Sequence, residues 1–280
     1  MKEAEELRRL LVRVAGEAAA YLRDRLGSVE RLEVIARSER DETLGIDYEV
    51  EGFVIELLRA EGINARVICE ERGEVVLGAE PRLVILLDPL DGSKNYAAFV
   101  PWAAVSIAAA PAAHELITLD ELVAGVVAPI FNWPPISFAK GAGVFEGNST
   151  PLRTPIQRIL LYYAESAEQL RVIERVVNAF RSRGYRVSSR SYGAAALEIT
   201  WAALGRALAF IDLRGKLRNV DVAAALGIAR EAGAYIHVER ELINARRVEE
   251  VGSVIVAPRE TSIIIEDAIK GGLATGARMH

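Results

Sequence analysis

Cysteine and histidine are scarce in this chain, and their scarcity argues against two kinds of chemistry. One cysteine, Cys69, and three histidines occur among the 280 residues. A lone cysteine excludes an internal disulfide and a thiolate metal cluster. The histidines, at positions 114, 237 and 280, are too scattered to favour a histidine-based zinc site.

Long apolar runs and an excess of positive charge are also missing. No stretch approaches the roughly 20 apolar residues that a membrane span requires. The charged segment 1–26 predicts an amphipathic helix rather than a secretory signal. The formal net charge of −5 argues against a nucleic-acid-binding surface, which needs clustered cations. We therefore expect a cytoplasmic protein that binds neither membranes nor nucleic acids.

The rest of the composition is ordinary for a compact protein, with 51% hydrophobic and 26% charged residues. The first half predicts two helices followed by a mainly antiparallel sheet. Those helices are predicted at 2–26 and 47–60, and the strands at 65–69, 83–87, 103–110, 122–127 and 136–139.

The second half alternates strands with helices, which favours an α/β layer with a mixed or parallel sheet. Strands are predicted at 159–163, 186–188, 207–211, 234–238 and 253–257, and helices at 167–183, 193–204, 220–231 and 260–271. The turn-rich connector NSTPLRTP, residues 148–155, separates the halves. We therefore predict two parts, 1–150 with the metal and phosphate motifs and 151–280 with the last metal ligand and substrate contacts.

The sharpest motif is VILLDPLDGSKNY, residues 84–96, in which an apolar strand leads directly into two aspartates. Asp88 and Asp91 are predicted just past the strand end, where α/β sheets bind ligands. Gly92 permits close backbone approach to an anion, and a helix starting near Ser93 would direct free N–H groups at a phosphate. The alternative interpretation is a polar surface turn, because Asp, Pro and Gly are common turn residues.

Two further acidic points follow or precede apolar segments. Glu70 and Glu71 come after the strand ending at Cys69, and Asp221 precedes the small-residue helix VAAA. Taken singly, each has an ordinary structural explanation: solvated loop charge for the glutamates, and an acid at a helix N-terminus for Asp221.

Taken together, these motifs resemble the inositol monophosphatase/fructose-1,6-bisphosphatase superfamily. Glu70-Glu71, Asp-Pro-Leu-Asp-Gly-Ser at 88–93 and Asp221-Val-Ala-Ala follow its order and spacing, and the resemblance covers nearly the whole chain. It looks closest to the archaeal-type enzymes with both activities. The resemblance implies an α/β fold, layered α+β as an αβαβα sandwich of the sugar-phosphatase type, and a homodimer.

The resemblance also implies roles for individual residues. Two or three Mg²⁺ would be held by Glu70, Asp88, the Leu90 carbonyl, Asp91 and Asp221. Catalysis would depend on Asp47, Glu70 and Ser93, with Asp47 and the Ser93 hydroxyl orienting the attacking water. Substrate contacts would come from Gly92, Ser93, Arg190, Ser191, Asp212 and Arg214. The polar segment Arg37–Thr43 resembles the mobile catalytic loop of the family, with a shortened spacing between Asp41, Thr43 and Asp47.

Phosphate monoester hydrolysis suits such a cluster. Converging carboxylates repel one another without cations, and Mg²⁺ prefers hard oxygen ligands. A metal-bound water is a nucleophile near neutral pH, while a second ion neutralises the leaving oxygen. We therefore expect direct attack by water on a small sugar or polyol phosphate, either fructose 1,6-bisphosphate or inositol 1-phosphate. Arg190, Arg214, Lys216 and Arg218 could bind a second phosphate or could form a basic surface loop.

Two other interpretations stay open. A phosphatase of 3′-phosphoadenosine 5′-phosphate belongs to the same superfamily, although Asn95 stands where those enzymes usually have glycine. A non-catalytic phosphate-binding or regulatory protein could share the fold, although all four side-chain metal ligands are present here. Magnesium titration with phosphate release distinguishes the enzyme from the non-catalytic protein.

Overall fold

The computed structural model describes residues 1–27, 34–37, 42–131, 133–152 and 154–276. For residues 34–37, 42–44 and 270–276 it describes the backbone only. The α-helices of the described residues are α1 Lys2–Asp24, α2 Gly45–Ala60, α3 Ser93–Ala97, α4 Ala167–Ser182, α5 Ala195–Ala203, α6 Asn219–Glu231 and α7 Arg259–Gly276. None of these helices is long and apolar enough to cross a membrane.

The strands of the described residues form two large sheets and two small pairs. They are β1 Val34–Arg37, β2 Glu42–Leu44, β3 Ala65–Cys69, β4 Gly73–Leu77, β5 Leu83–Asp91, β6 Ala104–Pro111, β7 Leu116–Ile117, β8 Ala124–Pro129, β9 Ile136–Ala139, β10 Gly143–Glu146, β11 Ile159–Tyr163, β12 Ser188–Arg190, β13 Ala209–Asp212, β14 Tyr235–Val238, β15 Ile243–Asn244 and β16 Val254–Ala257.

The larger sheet has seven strands in the order β10-β9-β8-β6-β5-β3-β4, and the smaller has five in the order β12-β11-β13-β16-β14. Only β3 and β5 run parallel in the larger sheet. In the smaller sheet β12, β11 and β13 are parallel, and β16 and β14 pair antiparallel. The mainly antiparallel first sheet is confirmed, and the second sheet, expected to be mixed or parallel, is mixed.

Three apolar cores alternate with the two sheets. Helices α1 and α2 cover one face of the larger sheet, α5 and α6 lie between the sheets, and α4 and α7 cover the outer face of the smaller sheet. Strand side chains alternate accordingly: in β5, Ile85 and Leu87 face α1 and α2, whereas Val84 and Leu86 face α5 and α6. The fold is therefore the expected αβαβα sandwich.

Helix α6 is buried on all sides because it lies between two sheets. Its residues from Asn219 to Ala229 are all buried, and small side chains let both sheets approach its axis. A Cβ at Gly227 would stand 2.3 Å from the Phe138 ring of β9. Glycine is therefore required where α6 crosses the larger sheet.

Several boundaries differ from the sequence prediction. Strand β12 lies two residues beyond the predicted 186–188 because it pairs in register with β11, Ile159 opposite Ser188. Strand β4 and the short pair β7 with β15 were not predicted. The segment predicted as a loop at 37–43 carries parts of β1 and β2, with Arg37 paired to Glu42; Asp41 lies outside the described residues.

The position of the aspartate pair also differs. Asp88 and Asp91 were predicted just past a strand end, but β5 continues through both of them. Asp88 is paired with Ser106 and Asp91 with Ala104 of β6, with a register irregularity between. This bulge inserts an extra residue into β5, which changes the direction of its side chains while the hydrogen-bonded pairing with β6 continues.

Candidate active site

Three acidic side chains from distant parts of the chain meet at one point. Glu70 follows β3, Asp88 lies in β5, and Asp221 is in the first turn of α6. One carboxylate oxygen from each lies within 4.8 Å of the others. We call Glu70, Asp88 and Asp221 the carboxylate cluster. The parallel strands β3 and β5 bring the first two together because Cys69 is paired with Leu87, so that the next residues, Glu70 and Asp88, are neighbours.

Other residues predicted for catalysis open onto the same spot. A small pocket is lined by Asp47, Glu70, Glu71, Asp88, Pro89, Leu90 and Ser93. Asp47 reaches it from the first turn of α2, where its carboxylate is buried. Ser93 is the first residue of α3 and follows Gly92, whose φ of +87° directs the chain into the helix. Of the predicted metal ligands, Asp91 and Asp221 are not among its lining residues.

Burial makes the charged form of these acids costly. It raises the pKa of Glu70 to about 7, with Asp221 adding to the effect, and raises that of Asp88 well above its ordinary value. Neighbouring carboxylates raise the pKa of Asp88 further. A cluster in which acids lie this close therefore carries more negative charge than its protein surroundings neutralise.

Arg218 is the one basic side chain among the described residues that forms ion pairs with this cluster. Its Nη1 lies 2.5 Å from Glu70 Oε1, and its Nη2 lies 3.2 Å from Asp221 Oδ1. Burial alone would lower the pKa of the guanidinium, but Asp221 and Glu70 raise it above its usual value. Arg218 therefore stays charged beside the acids.

Asp91 is held by a neighbouring helix rather than within the carboxylate cluster. Its two oxygens accept hydrogen bonds from the N–H groups of Ala195 and Ala196, each at 2.9 Å, at the start of α5. Burial, followed by Asp221, raises its pKa to about 8 even so. Asp91 is thus close enough to Asp221 to feel its charge, and its role as a metal ligand stays a prediction.

The phosphate-binding turn predicted at Gly92 packs against the predicted substrate segment. A Cβ at Gly92 would lie 3.0 Å from the Trp102 carbonyl oxygen and 3.1 Å from the Ala194 Cβ. Asn95 Nδ2 donates to the carbonyls of Trp102 at 2.8 Å and Tyr192 at 2.6 Å. The backbone of Gly92 is therefore fixed beside residues 190–194, where Arg190 and Ser191 are exposed.

Asp212 is fully buried and has its own cation. Arg214 donates to both of its oxygens, from Nε to Oδ1 at 3.0 Å and from Nη2 to Oδ2 at 3.2 Å. The same guanidinium lies 4.2 Å from the centre of the Tyr163 ring. Lys216 is paired with Glu165. Three of the four basic residues expected to form a cationic pocket are therefore bound to acids of the chain, and Arg190 alone has no such ion pair among the described residues.

Two buried glutamates that the sequence analysis did not single out hold the site in place. Glu51, on α2, accepts from the N–H groups of Glu71 and Arg72 and so fixes the turn after Glu70. Glu198, on α5, accepts from those of Tyr192 and Gly193. The available signal was positional: Glu51 lies one helical turn after Asp47, and Glu198 interrupts an apolar helix.

Known proteins share both the sequence pattern and the fold. The model of the Inositol monophosphatase family matches residues 3–271. An inositol-1-monophosphatase from Aeropyrum pernix is 36% identical over 97% of this chain and 99% of its own. A fructose-1,6-bisphosphatase/inositol-1-monophosphatase from Methanothermobacter thermautotrophicus is 28% identical, covering 82% and 83%. The crystal structure of extragenic suppressor protein suhB from Bartonella henselae superposes with a TM-score of 0.75 at 24% identity, covering 95% and 99%.

The layered fold and its buried acidic site define a class of sugar-phosphatase-type α/β proteins. Within that class, the chain belongs to the inositol monophosphatase family, a family of phosphatases. The family resemblance inferred from the sequence motifs is thereby confirmed.

Proposed function

We propose that this protein hydrolyses sugar or polyol phosphate monoesters with the help of Mg²⁺. The observation that carries the proposal is the convergence of Glu70, Asp88 and Asp221 within 4.8 Å. Such an arrangement is electrostatically costly unless a cation is part of its function. The family to which the chain belongs supplies the reaction class, phosphoric monoester hydrolysis.

The residues present fit a hard divalent cation. All the side-chain donors are carboxylate oxygens, the ligands that Mg²⁺ prefers. Asp221 Oδ1 is buried and accepts no hydrogen bond from the described residues, although Nη2 of Arg218 lies 3.2 Å from it. Glu70, Asp88 and Asp221 would hold the ion, with Asp91 and the Leu90 carbonyl completing two or three sites. When bound, Mg²⁺ would supply charge neutralisation and a lowered pKa for water.

The protein's own groups would position the substrate and the water. The N–H groups of Gly92 and Ser93, at the start of α3, would bind the phosphate, and Ser93 lines the same pocket as Asp47. We propose that Asp47 accepts the water proton through Ser93, so that the water oxygen bonds to phosphorus in line while the bond from phosphorus to the ester oxygen breaks. The alcohol leaves after its oxygen takes up a proton from solvent water. No phosphorylated residue is expected.

Among candidate substrates, we place a polyol monophosphate such as inositol 1-phosphate ahead of fructose 1,6-bisphosphate. A second phosphate needs unpaired positive charge, but Arg214 and Arg218 are paired with Asp212 and the carboxylate cluster, and Lys216 with Glu165. Arg190 remains for that role. Exposed Ser191 would contact substrate hydroxyls, whereas Asp212, fully buried and bound by Arg214, would position its turn rather than contact the substrate.

The test is phosphate release by chelator-treated protein with inositol 1-phosphate, fructose 1,6-bisphosphate and 3′-phosphoadenosine 5′-phosphate, while Mg²⁺ is titrated. We expect no release without Mg²⁺, and the highest kcat/KM for the polyol monophosphate. Preference for the bisphosphate would reverse the substrate order, and preference for the nucleotide would favour the other phosphatase of the superfamily. No release from any substrate at saturating Mg²⁺ would favour a non-catalytic role.

A further inference from the structure

Arg218 lies immediately before α6 and reaches into the carboxylate cluster. Its backbone N–H donates to Asp221 Oδ2 at 2.9 Å, and its Nε approaches the same oxygen at 3.2 Å. Its Nη2 lies 3.2 Å from the other oxygen of Asp221, and its Nη1 contacts Glu70. One side chain therefore bridges two of the three members of the cluster.

These contacts occupy oxygen atoms that a metal ion needs. Both oxygens of Asp221 face the guanidinium, as does Oε1 of Glu70. A guanidinium has hydrogen-bond donors only. Unlike water, it therefore has no lone pair with which to bind a metal ion while it donates to a carboxylate oxygen. It also carries a full positive charge, which repels a divalent ion at such short range.

The other basic residues of this segment are arranged differently. Arg214 is paired with Asp212, and Lys216 with Glu165 on the outside of the molecule. Neither forms an ion pair with the carboxylate cluster. In the segment 212–218, the positive charge of Arg218 therefore faces the carboxylate cluster, whereas that of Lys216, two residues earlier, does not.

We propose that Arg218 is an internal competitor of the divalent ion. In the metal-free chain it bridges Glu70 and Asp221 and offsets their repulsion, and it leaves these oxygens when the ion binds. Arg218 thus weakens the binding of the metal and keeps the empty cluster folded. The inference rests on the proposed metal dependence and deepens it by naming the residue that sets the affinity for Mg²⁺.

The first test measures binding of Mg²⁺ alone by calorimetry, without substrate, to wild type, Arg218→Met and Lys216→Gln. Methionine keeps much of the apolar stem and removes the charge. We expect Arg218→Met to bind Mg²⁺ about tenfold more tightly than wild type, because a like charge is removed from the site. Lys216→Gln removes the same charge outside the cluster and should bind as wild type does.

Thermal unfolding in chelator gives a second readout from the same variants. The metal-free Arg218→Met protein should unfold at a lower temperature than wild type. Saturating Mg²⁺ should raise the Tm of the variant by more than it raises the Tm of wild type. Equal or weaker Mg²⁺ binding by Arg218→Met would overturn the proposal, because it would mean that Arg218 orients the ligands instead of competing for them.

Wild-type protein supplies a measurement that does not depend on the folding of a variant. Phenylglyoxal modifies accessible arginines, and peptide mass spectrometry can follow Arg218 and Arg214 separately. Mg²⁺ should speed the modification of Arg218 severalfold and leave that of Arg214 unchanged. Unchanged or slower modification of Arg218 with Mg²⁺ bound overturns this inference alone, whereas absence of Mg²⁺ binding to wild type overturns it together with the proposed function.

Discussion

The carboxylate cluster and the turn formed by Asp212, Leu213 and Arg214 show two ways of burying acids in the same molecule. In the turn, a fully buried aspartate has an arginine of its own, which donates to both carboxylate oxygens. In the carboxylate cluster, Arg218 forms ion pairs with Glu70 and Asp221, and Asp88 has no ion pair among the described residues. The first arrangement balances its charge and the second does not.

This difference separates a positioning element from a binding site. A buried carboxylate with a complete set of donors needs no ligand, because its charge is already compensated. A cluster with surplus negative charge is stable only if it takes up protons or cations. The contrast leads us to expect metal-dependent activity from the carboxylate cluster, and orientation of the substrate from the Asp212 turn.

The largest effect is expected from Asp88→Asn, which removes one negative charge from the cluster at nearly constant volume. Activity should fall on the order of 10³-fold or more, because a metal ligand is lost. The metal-free protein should unfold at the same or a higher temperature, because repulsion is relieved. Phosphate-release kinetics and thermal unfolding measure the two effects. Asp120→Asn, at an exposed acid, is the control, and activity within tenfold of wild type would contradict the prediction.

A loss of stability, in contrast to Asp88→Asn, is expected when the ion pair between Asp212 and Arg214 is broken. Arg214→Met leaves buried Asp212 without its bidentate partner and should lower the free energy of unfolding by about 3 kcal/mol, measured by denaturant titration. The double variant Asp212→Asn/Arg214→Met should recover part of that loss. If the single variant were as stable as wild type with or without Mg²⁺, the distinction between balanced and unbalanced acids would fail.

Glu198 tests whether a buried acid can be compensated by hydrogen-bond donors without an ion pair. Burial raises its pKa to about 8, and hydrogen bonds from Tyr192 and Gly193 only partly oppose this. The folded chain therefore keeps the Glu198 proton at pH values where the unfolded chain has released it. The stabilisation of the folded state by this group is complete at low pH and is lost as pH rises toward 8.

The corresponding change is Glu198→Gln, which imitates the protonated form. Wild type should lose on the order of 2 kcal/mol of stability between pH 5 and pH 8 through this group, and the variant should lose less. Urea unfolding at both pH values, in chelator, measures the difference. Glu168→Gln, at an exposed glutamate, should keep the wild-type slope, and an unchanged slope for Glu198→Gln would refute the assignment.

The smallest effect is expected at Arg190, which is exposed and forms no ion pair among the described residues. Arg190→Gln should raise KM about three- to tenfold with kcat nearly unchanged, because a screened surface charge contributes modestly. The rise should be larger for fructose 1,6-bisphosphate than for inositol 1-phosphate. Arg186→Gln is the control from the same segment, and a fall in kcat without a change in KM would place Arg190 in another role.

Much of the fold was predictable because its helices and strands follow local apolar patterns. The predicted strands at 65–69, 136–139 and 159–163 match β3, β9 and β11. Long-range pairing moved other boundaries: β6 extends β5 through Asp88 and Asp91, and β11 sets the register of β12. Pairing partners far away in sequence are not visible in a local pattern.

The amino-acid order alone is enough to identify the available acids and the three motifs that follow a family order. The neighbours of each acid became visible only after folding: Asp91 binds the start of α5, Asp212 is paired with Arg214, and Arg218 turns inward to Glu70 and Asp221. The physical reason is that a residue's charge is a property of its type, whereas the compensation of that charge depends on burial and on neighbours that folding brings within a few ångströms.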